Sequence, residues 1–481
     1  MERVDNKVVH NDAKLWQIGF FALNNTATNL YMFFFMFISY YATGIAGLLV
    51  VTVSSILTFM RIWDGFTDPI IGYFIDRTES KLGKFRPFMF IGNIILALMA
   101  LVLVKTTHLV PEGIRLFYFI LIYALYIIGY TFQTACTKAA QTVLTNNPKQ
   151  RPLFTLFDAI YNTVLFVGLQ VFVSMVLVPK YGGFTQGFFD EFIVYIIIAS
   201  FVFTLLSISS IWKKDVKENW GGVDAQKVKF KEYLEVIKGN KPLQMLIIAA
   251  STDKMASSAK SNAVTSVIIF GVIMGNYSLS GTLAMITIPF TILLTVIGIG
   301  FARKLGQKKA YVVSTWVSMI LSFVLLFFFL VIDTKSISLS NINLTTIIYL
   351  AISILIGGAA SVGGNIVIPM IADTSDYETY KSGKYIPGMI STIFSFVDKL
   401  ISSLATAIVG ILLATIGFKE AFPTVDTPAS SGLFWMGMFF FIGLPILGWI
   451  ASIIAMKWYY LDGKKMEEIQ KALHERKVCT E

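Results

Sequence analysis

Charge is scarce in this chain: of its 481 residues only 14% are Asp, Glu, Lys or Arg, while 56% are hydrophobic. So little charge cannot cover a water-soluble globule of this length, and the composition calls for lipid as the solvent. Cysteine is nearly absent, with Cys136 in an apolar run and Cys479 near the end, which excludes a disulfide framework or a cysteine zinc site. Histidine is almost as rare. His10, His108 and His474 all fall in expected loops or tails, so no histidine proton relay crosses the apolar runs. There is also no nucleophile–base pair, metal cluster or nucleotide-binding glycine loop. The chain therefore does not read as an enzyme, and no cofactor is expected.

What is present is a succession of apolar runs of about 20 residues, each long enough to cross roughly 30 Å of hydrocarbon. Twelve spans are expected: 16–40, 46–75, 88–105, 115–145, 153–178, 192–212, 243–272, 279–302, 310–332, 345–372, 387–416 and 433–459. The fold class is an all-α membrane protein. A polar leader with Arg3, Asp5, Lys7, Asp12 and Lys14 precedes the first span, and no small-residue cleavage site follows it at a suitable distance. The first helix is accordingly expected to remain uncleaved. Six spans precede the polar segment Lys213–Lys241 and six follow it. The expected organisation is a six-helix half at 1–212, a central loop at 213–242, a second six-helix half at 243–459 and a tail at 460–481, the 6+6 layout of a secondary transporter.

A net charge of +10 invites a nucleic-acid reading, but its placement argues against one. Arg77, Lys81, Lys84 and Arg86, then Lys149 and Arg151, the run from Lys213 to Lys241, Arg303, Lys304, Lys308 and Lys309, and Lys381 and Lys384 fall in alternate loops. The tail adds Lys464, Lys465, Lys471, Arg476 and Lys477, whereas the opposite loops hold or border only Lys105, Arg115, Lys180, Lys335 and Lys419. This is the positive-inside asymmetry, and it predicts both termini in the cytoplasm of a cell whose inner membrane holds the chain. A repeat supports the two halves. Gly72-Tyr73-Phe74-Ile75-Asp76-Arg77 with Lys81-Leu82-Gly83-Lys84 follows the second span, and Gly300-Phe301-Ala302-Arg303-Lys304-Leu305-Gly306-Gln307-Lys308 follows the eighth.

The densest chemistry lies in Arg61-Ile62-Trp63-Asp64-Gly65-Phe66-Thr67-Asp68-Pro69-Ile70-Ile71-Gly72, inside the second span. Burying these charges unpaired would cost several kcal/mol. Asp64 and Asp68, four residues apart, share one helix face about 6 Å apart, as a hard-cation site or a proton acceptor needs. A structural ion pair between Arg61 and one aspartate is the plainer alternative. Pro69 would free a backbone carbonyl of the preceding turn as a further oxygen ligand.

The run Arg61-Ile62-Trp63-Asp64-x3-Asp68-Pro69-x2-Gly72, with Asp76-Arg77-Thr78 and Gly83-Lys84-Phe85-Arg86-Pro87, resembles the signature of the glycoside–pentoside–hexuronide:cation symporters, the melibiose permease family. Ala372-Asp373-x2-Asp376-Tyr377-x5-Gly383, followed by Lys399, resembles that family's loop between helices ten and eleven. The resemblance implies a major-facilitator bundle that alternates access around a central site and carries a glycoside, oligosaccharide or hexuronide with Na⁺, Li⁺ or H⁺. It implies Asp64, Asp68 and Thr131 as the cation site, with Na⁺ one candidate occupant, Lys399 and Arg61 as charge partners, and Asp76, Arg77, Gly83, Arg86, Asp373, Asp376 and Tyr377 as gating-loop residues. Thr67 stands where some members have asparagine. A cation-coupled importer of lysophospholipids or other amphiphiles shares this fold and is the alternative.

The sugar half of the family pattern is altered. Where better-known sugar permeases place an aspartate on helix one, an Asp…Trp pair on helix four and an arginine on helix five, this chain has Asn24-Asn25-Thr26, Thr134…Lys138 and the neighbourhood of Asp158. The candidate substrate residues are Asn25, Asn29, Tyr31, Thr134, Lys138, Asp158 and Lys260, with Asn24, Gln133 and Asn162 as further hydroxyl partners. Two arrangements suit the intramembrane charges Lys138, Asp158, Asp253, Lys254 and Lys260. They form structural pairs, Lys138 with Asp158 and Asp253 with Lys254 or Lys260, or they make a basic vestibule for an anionic glycoside. The partners expected are a small sugar and the bilayer, with a monomer as the working unit.

Overall fold

The computed structural model describes residues 12–145, 150–217, 236–383 and 387–478, and every regular element among them is helical. The long helices are α1 (Leu15–Phe35), α2 (Val50–Arg77), α3 (Arg86–Thr106), α4 (Glu112–Ala139), α5 (Arg151–Phe172) and α6 (Gln186–Ile211). They continue with α7 (Lys241–Lys260), α8 (Leu279–Leu305), α9 (Gln307–Val331), α10 (Leu344–Ser382), α11 (Pro387–Thr415) and α12 (Ser431–Trp458), and a shorter α13 (Gly463–Val478) follows. Among the described residues nine helices are long and apolar enough to span a bilayer, or ten if α7 and Ala263–Ile273, bent by 49°, form one span. The two that fall short, α1 and α2, carry polar residues within their apolar runs. Asn24, Asn25, Thr26, Thr28 and Asn29 lie on α1, and Arg61, Asp64 and Asp68 on α2.

Helix ends differ from the expected spans where side chains satisfy the extra turns. Helix α6 begins at Gln186 rather than 192 because Asp190 pairs with Lys105 at 2.8 Å and Glu191 pairs with Lys180, so neither acid breaks it. Helix α10 continues to Ser382 instead of ending at 372. Its 39 residues extend about 58 Å, well beyond a bilayer core. Asp373, Asp376 and Tyr377, expected in a loop, therefore sit on its last turns. Asp76 and Arg77 likewise belong to α2, and Arg86 is the first residue of α3. Of the expected gating-loop residues, Gly83 alone lies in a connection.

Two compact units divide the chain, Met1–Leu49 with Ile62–Ala225, and Val50–Arg61 with Gln226–Glu481. In the first, α1 packs against α6, α5 and α4, and α3 packs against α4 and α6. In the second, α7 packs against α12 and α11, α9 against α10 and α12, and α8 against α10. A shift of six helices turns the pairs α1/α6, α1/α5, α3/α4 and α3/α6 into α7/α12, α7/α11, α9/α10 and α9/α12, so the repeat seen in the basic segments is also a repeat of packing. Those segments are not alike in length. Residues 78–85 separate α2 from α3, whereas only Gly306, at φ +84°, separates α8 from α9.

Several aromatics of the first span pack inside the first unit, while Trp16 and Phe20 stay exposed. Phe33, Phe34 and Phe37 interlock with Phe188, Phe189 and Phe192 of α6, and all six are buried. Close backbone approach fixes α3 against α4. A Cβ on Gly129 would lie 2.9 Å from the Leu96 nitrogen, so glycine is needed there. In the second unit, Tyr311, Met370, Ile390, Met456, Tyr459 and Leu461 form a core that reaches α13 through the fully buried Ile469.

Candidate functional site: a buried carboxylate beside paired hydroxyls

Asp64 is 1% exposed and lies in the middle of α2. The hydroxyl of Thr131, on α4, is 3.3 Å from its Oδ1. Thr67, one turn beyond Asp64, has its hydroxyl 2.9 Å from that of Thr131 and 3.0 Å from the Asp64 carbonyl. Both threonines are buried. The two O–H groups can point in series, Thr67 to Thr131 and Thr131 to the carboxylate, and Thr131 Oγ1 also lies 3.0 Å from the Ile127 carbonyl. Asp68 follows one turn later and is half-buried. Carboxylate and hydroxyl oxygens on neighbouring helices are the donor set that Na⁺, Li⁺ or a proton uses. Thr67 was marked in the sequence only as a neighbour of the pair; here it joins α2 to α4.

Other candidate residues are brought together between helices of the first unit. The Asn25 amide donates to Asp158 Oδ1 at 2.7 Å, and the Asn29 amide donates to Asn162 Oδ1 at 2.7 Å. The two bonds are one turn apart on both helices and make a polar seam between α1 and α5. Asn24 instead faces α4, donating to Thr137 Oγ1 at 2.7 Å and to the Gln133 carbonyl at 3.1 Å. Tyr31 is fully buried and accepts a hydrogen bond from Ser200 of α6 at 2.8 Å, so its ring has no open face for stacking. Thr134 donates to the Thr131 carbonyl at 3.2 Å. Lys138 is exposed on α4, where Thr131, Thr134 and Lys138 are spaced to share one stripe.

The expected structural ion pairs are replaced by other partners. Asp158 is held by Asn25, and among the described residues Lys138 has no ion-pair partner. Lys254 pairs with Asp398 of α11, Lys260 lies 4.7 Å over the Phe441 ring, and the Asp253 carboxyl is within hydrogen-bonding distance of the Tyr311 and Ser452 hydroxyls. Arg61 is exposed on α2 and Lys399 is half-buried on α11.

The connection before α3 is built around a residue that sequence reasoning passed over. Asp215, just beyond α6, has a fully buried side chain that accepts from the backbone N–H of Lys84, Phe85 and Arg86 at 3.0, 2.9 and 3.1 Å. It also pairs with Arg86 at 3.5 Å, and that guanidinium lies 4.6 Å over the Trp212 ring. A carboxylate at a helix N-terminus meets both the orphan N–H groups and the positive end of the dipole. Gly83 is required beside it, since a Cβ there would come 2.3 Å from Asp215 Oδ2, and its φ of +100° suits glycine. Asp215 stood in a run read only for its lysines; the signal was an acid among bases one turn past a helix. In the same connection, the hydrogen bond from Lys217 holds the Glu79 carboxyl below the usual carboxylate range, though both groups are in water. Near the end of α10, Glu378 and the Thr374 carbonyl accept from Asn240, which caps α7, Gln470 of α13 donates to Asp376 at 2.6 Å, and Tyr460 donates to Tyr377 at 2.7 Å. The side chain of Asp76 lies outside the described residues.

A repeated bundle of membrane-type helices with an acid–hydroxyl cluster buried within it defines a polytopic transporter. The family model described as MFS/sugar transport protein matches residues 20–463, and the chain belongs to that family. It is 23% identical to the "Glucuronide carrier protein homolog" of Escherichia coli (strain K12), over 92% of this chain and 91% of that protein. It is also 23% identical to the "Isoprimeverose transporter" of Lactiplantibacillus pentosus, over 95% of this chain and 91% of that one. A crystal structure of a mutant of the nucleoside transporter NupG superposes with a TM-score of 0.63 at 13% identity, covering 92% of this chain and all of that one, which shows the fold. The chain is thus a multi-pass sugar transporter of the major facilitator type.

Proposed function

We propose that this chain carries a glycoside, oligosaccharide or hexuronide across the inner membrane together with a cation, by alternating access, and that Asp64, Asp68 and Thr131 bind the cation. The observation that carries the reading is Asp64, buried within a membrane helix against the Thr131 and Thr67 hydroxyls. A buried carboxylate with hydroxyl oxygens beside it is a donor set that a small cation or a proton takes. Relatives named for a glucuronide and for isoprimeverose support a glycoside as cargo. The alternate-loop placement of basic residues supports both termini in the cytoplasm.

On this reading Asn25, Asn29, Thr134 and Lys138 contact the sugar. Tyr31 and Lys260 keep structural positions. An exposed Lys138 offers its ammonium to the carboxylate of a hexuronide. The test is an uptake panel in proteoliposomes: neutral glycosides, pentosides and glucuronides under imposed Na⁺, Li⁺ or H⁺ gradients. Uptake should collapse without the gradient and in Asp64→Asn. Uptake indifferent to both would remove the coupling role. Lys138→Ala should depress glucuronide uptake alone, and equal loss across the panel would exclude its role as an anion contact.

A further inference from the structure

The charges of α7 divide unevenly. Lys254 is paired with Asp398 and Lys260 sits over Phe441, which leaves Asp253, on the same helix, with only hydroxyl partners. From α9 it faces Tyr311, whose ring is buried; from α12 it faces Ser452, also buried. On α11, Asp398 is engaged by Lys254, and Lys399 follows it in sequence. Those of α10, Asp373, Asp376 and Glu378, lie on its last turns, with Glu378 bonded to Asn240 at the start of α7. Among the described residues no cation lies within ion-pair distance of Asp253.

The hydrogens in this cluster can be counted. Ser452 Oγ lies 2.9 Å from the Ala249 carbonyl oxygen and within bonding distance of Asp253 Oδ1. A carbonyl and an ionised carboxylate are both acceptors, and a serine hydroxyl has one hydrogen to give. If it goes to Ala249, the contact with Asp253 needs a hydrogen from the carboxyl group itself. A protonated Asp253 supplies it, donating to Ser452 Oγ through Oδ1 while Oδ2 accepts from the Tyr311 hydroxyl. All three oxygens are then satisfied without a charge in the bundle.

We propose that Asp253, with Tyr311 and Ser452, is a second proton-binding site of this protein, lying in the second unit and separate from the Asp64–Asp68 pair. The proton comes from water and returns to water. The site lies towards the end of the unit where α9 begins and α12 ends. This makes transport sensitive to proton concentration whichever cation the first site uses. That last step rests on the transporter reading, whereas occupancy of the site by a proton does not.

Infrared difference spectroscopy of the purified full chain in liposomes, titrated from acid to alkaline pH, tests the site without any substrate. The wild type should show a carboxylic-acid C=O band that titrates, that is lost in Asp253→Asn and that persists in Asp64→Asn. Tyr311→Phe should keep the band and move it to higher wavenumber, since its carbonyl loses a donor. A wild type with no such band at any pH, or a band that survives in Asp253→Asn, would overturn the proposal. For the cycle, the readout is the pH profile of uptake of whichever sugar the panel identifies. Asp253→Asn should lose an inflection that the wild type has, and an unchanged profile would refute its part in transport. If no sugar is carried, the coupling reading falls while the infrared result still decides the site.

Discussion

Removing the Asp215 side chain should be among the most damaging single changes in the first unit. Asp215→Ala takes away the acceptor of three backbone N–H groups at the start of α3 and strands Arg86, whose side chain is only 12% exposed. Loss of a helix cap costs about 0.5–2 kcal/mol, and breaking a buried pair by deleting one partner costs about 3–5 kcal/mol. These terms overlap because they share one carboxylate, so a total of about 3–5 kcal/mol is expected. At about 2–4 °C per kcal/mol, melting of the purified protein should fall by about 6–20 °C. Asp215→Asn keeps an acceptor for part of the cap and should lose less than half as much. Arg86→Ala with Asp215→Ala should melt above Asp215→Ala alone, because no unpaired guanidinium is left buried. If Asp215→Ala melts with the wild type, or if the double variant is additive, the cap and pair do not hold this connection.

Gly83→Ala should destabilise comparably to Asp215→Asn or worse, read by the same melting curve, because its Cβ meets Asp215 and its φ is positive. Adding Na⁺, Li⁺ or acid at 100 times the dissociation constant should stabilise the wild type by about 2.7 kcal/mol, and Asp64→Asn should abolish that gain for the coupling ion. Thr131→Ala should weaken the coupling cation about tenfold, the loss of one oxygen ligand, read by isothermal titration. Glu79 has its proton affinity depressed by Lys217, so any stability it adds is present above the ordinary carboxylate range and lost as pH falls. Because the pair is fully in water, Glu79→Gln should melt with the wild type at neutral and at acid pH.

Composition and the spacing of apolar runs made the helical membrane fold legible, and the four-residue interval in α2 made one face of two carboxylates legible. Helix ends were less so. Asp190 and Glu191 looked like the end of a span until Lys105 and Lys180 were seen to neutralise them, and that pairing is long-range. The pairing of intramembrane charges was legible in kind but not in partner. Lys254 and Asp253 adjoin in sequence, yet neighbours on a helix point about 100° apart, so they serve different helices. Tyr31 carried no mark in the sequence to separate a stacking platform from a core residue. Its burial against Ser200 comes from the α1/α6 contact, which only the fold supplies.

The packing repeat fixes which helices touch, and the chemistry laid on it is unequal. Helix α2 bears Asp64 and Asp68, whereas its counterpart α8 has no carboxylate and carries Pro289 inside it. Helix α1 carries amides, and its counterpart α7 carries Asp253, Lys254 and Lys260. If Asp64 and Asp68 hold the cation as proposed, that site must reach the cargo through a shared element, and α4 is the element at hand. Thr131 meets Asp64, and Lys138 lies seven residues on, about 10 Å along the same stripe. Under the proposed function, a cation that fixes Thr131 restrains the rigid helix that carries Thr134 and Lys138. Linkage then requires that the factor by which the cation tightens the sugar equals the factor by which the sugar tightens the cation. Thr131→Ala, which leaves Lys138 in place, should reduce both factors together.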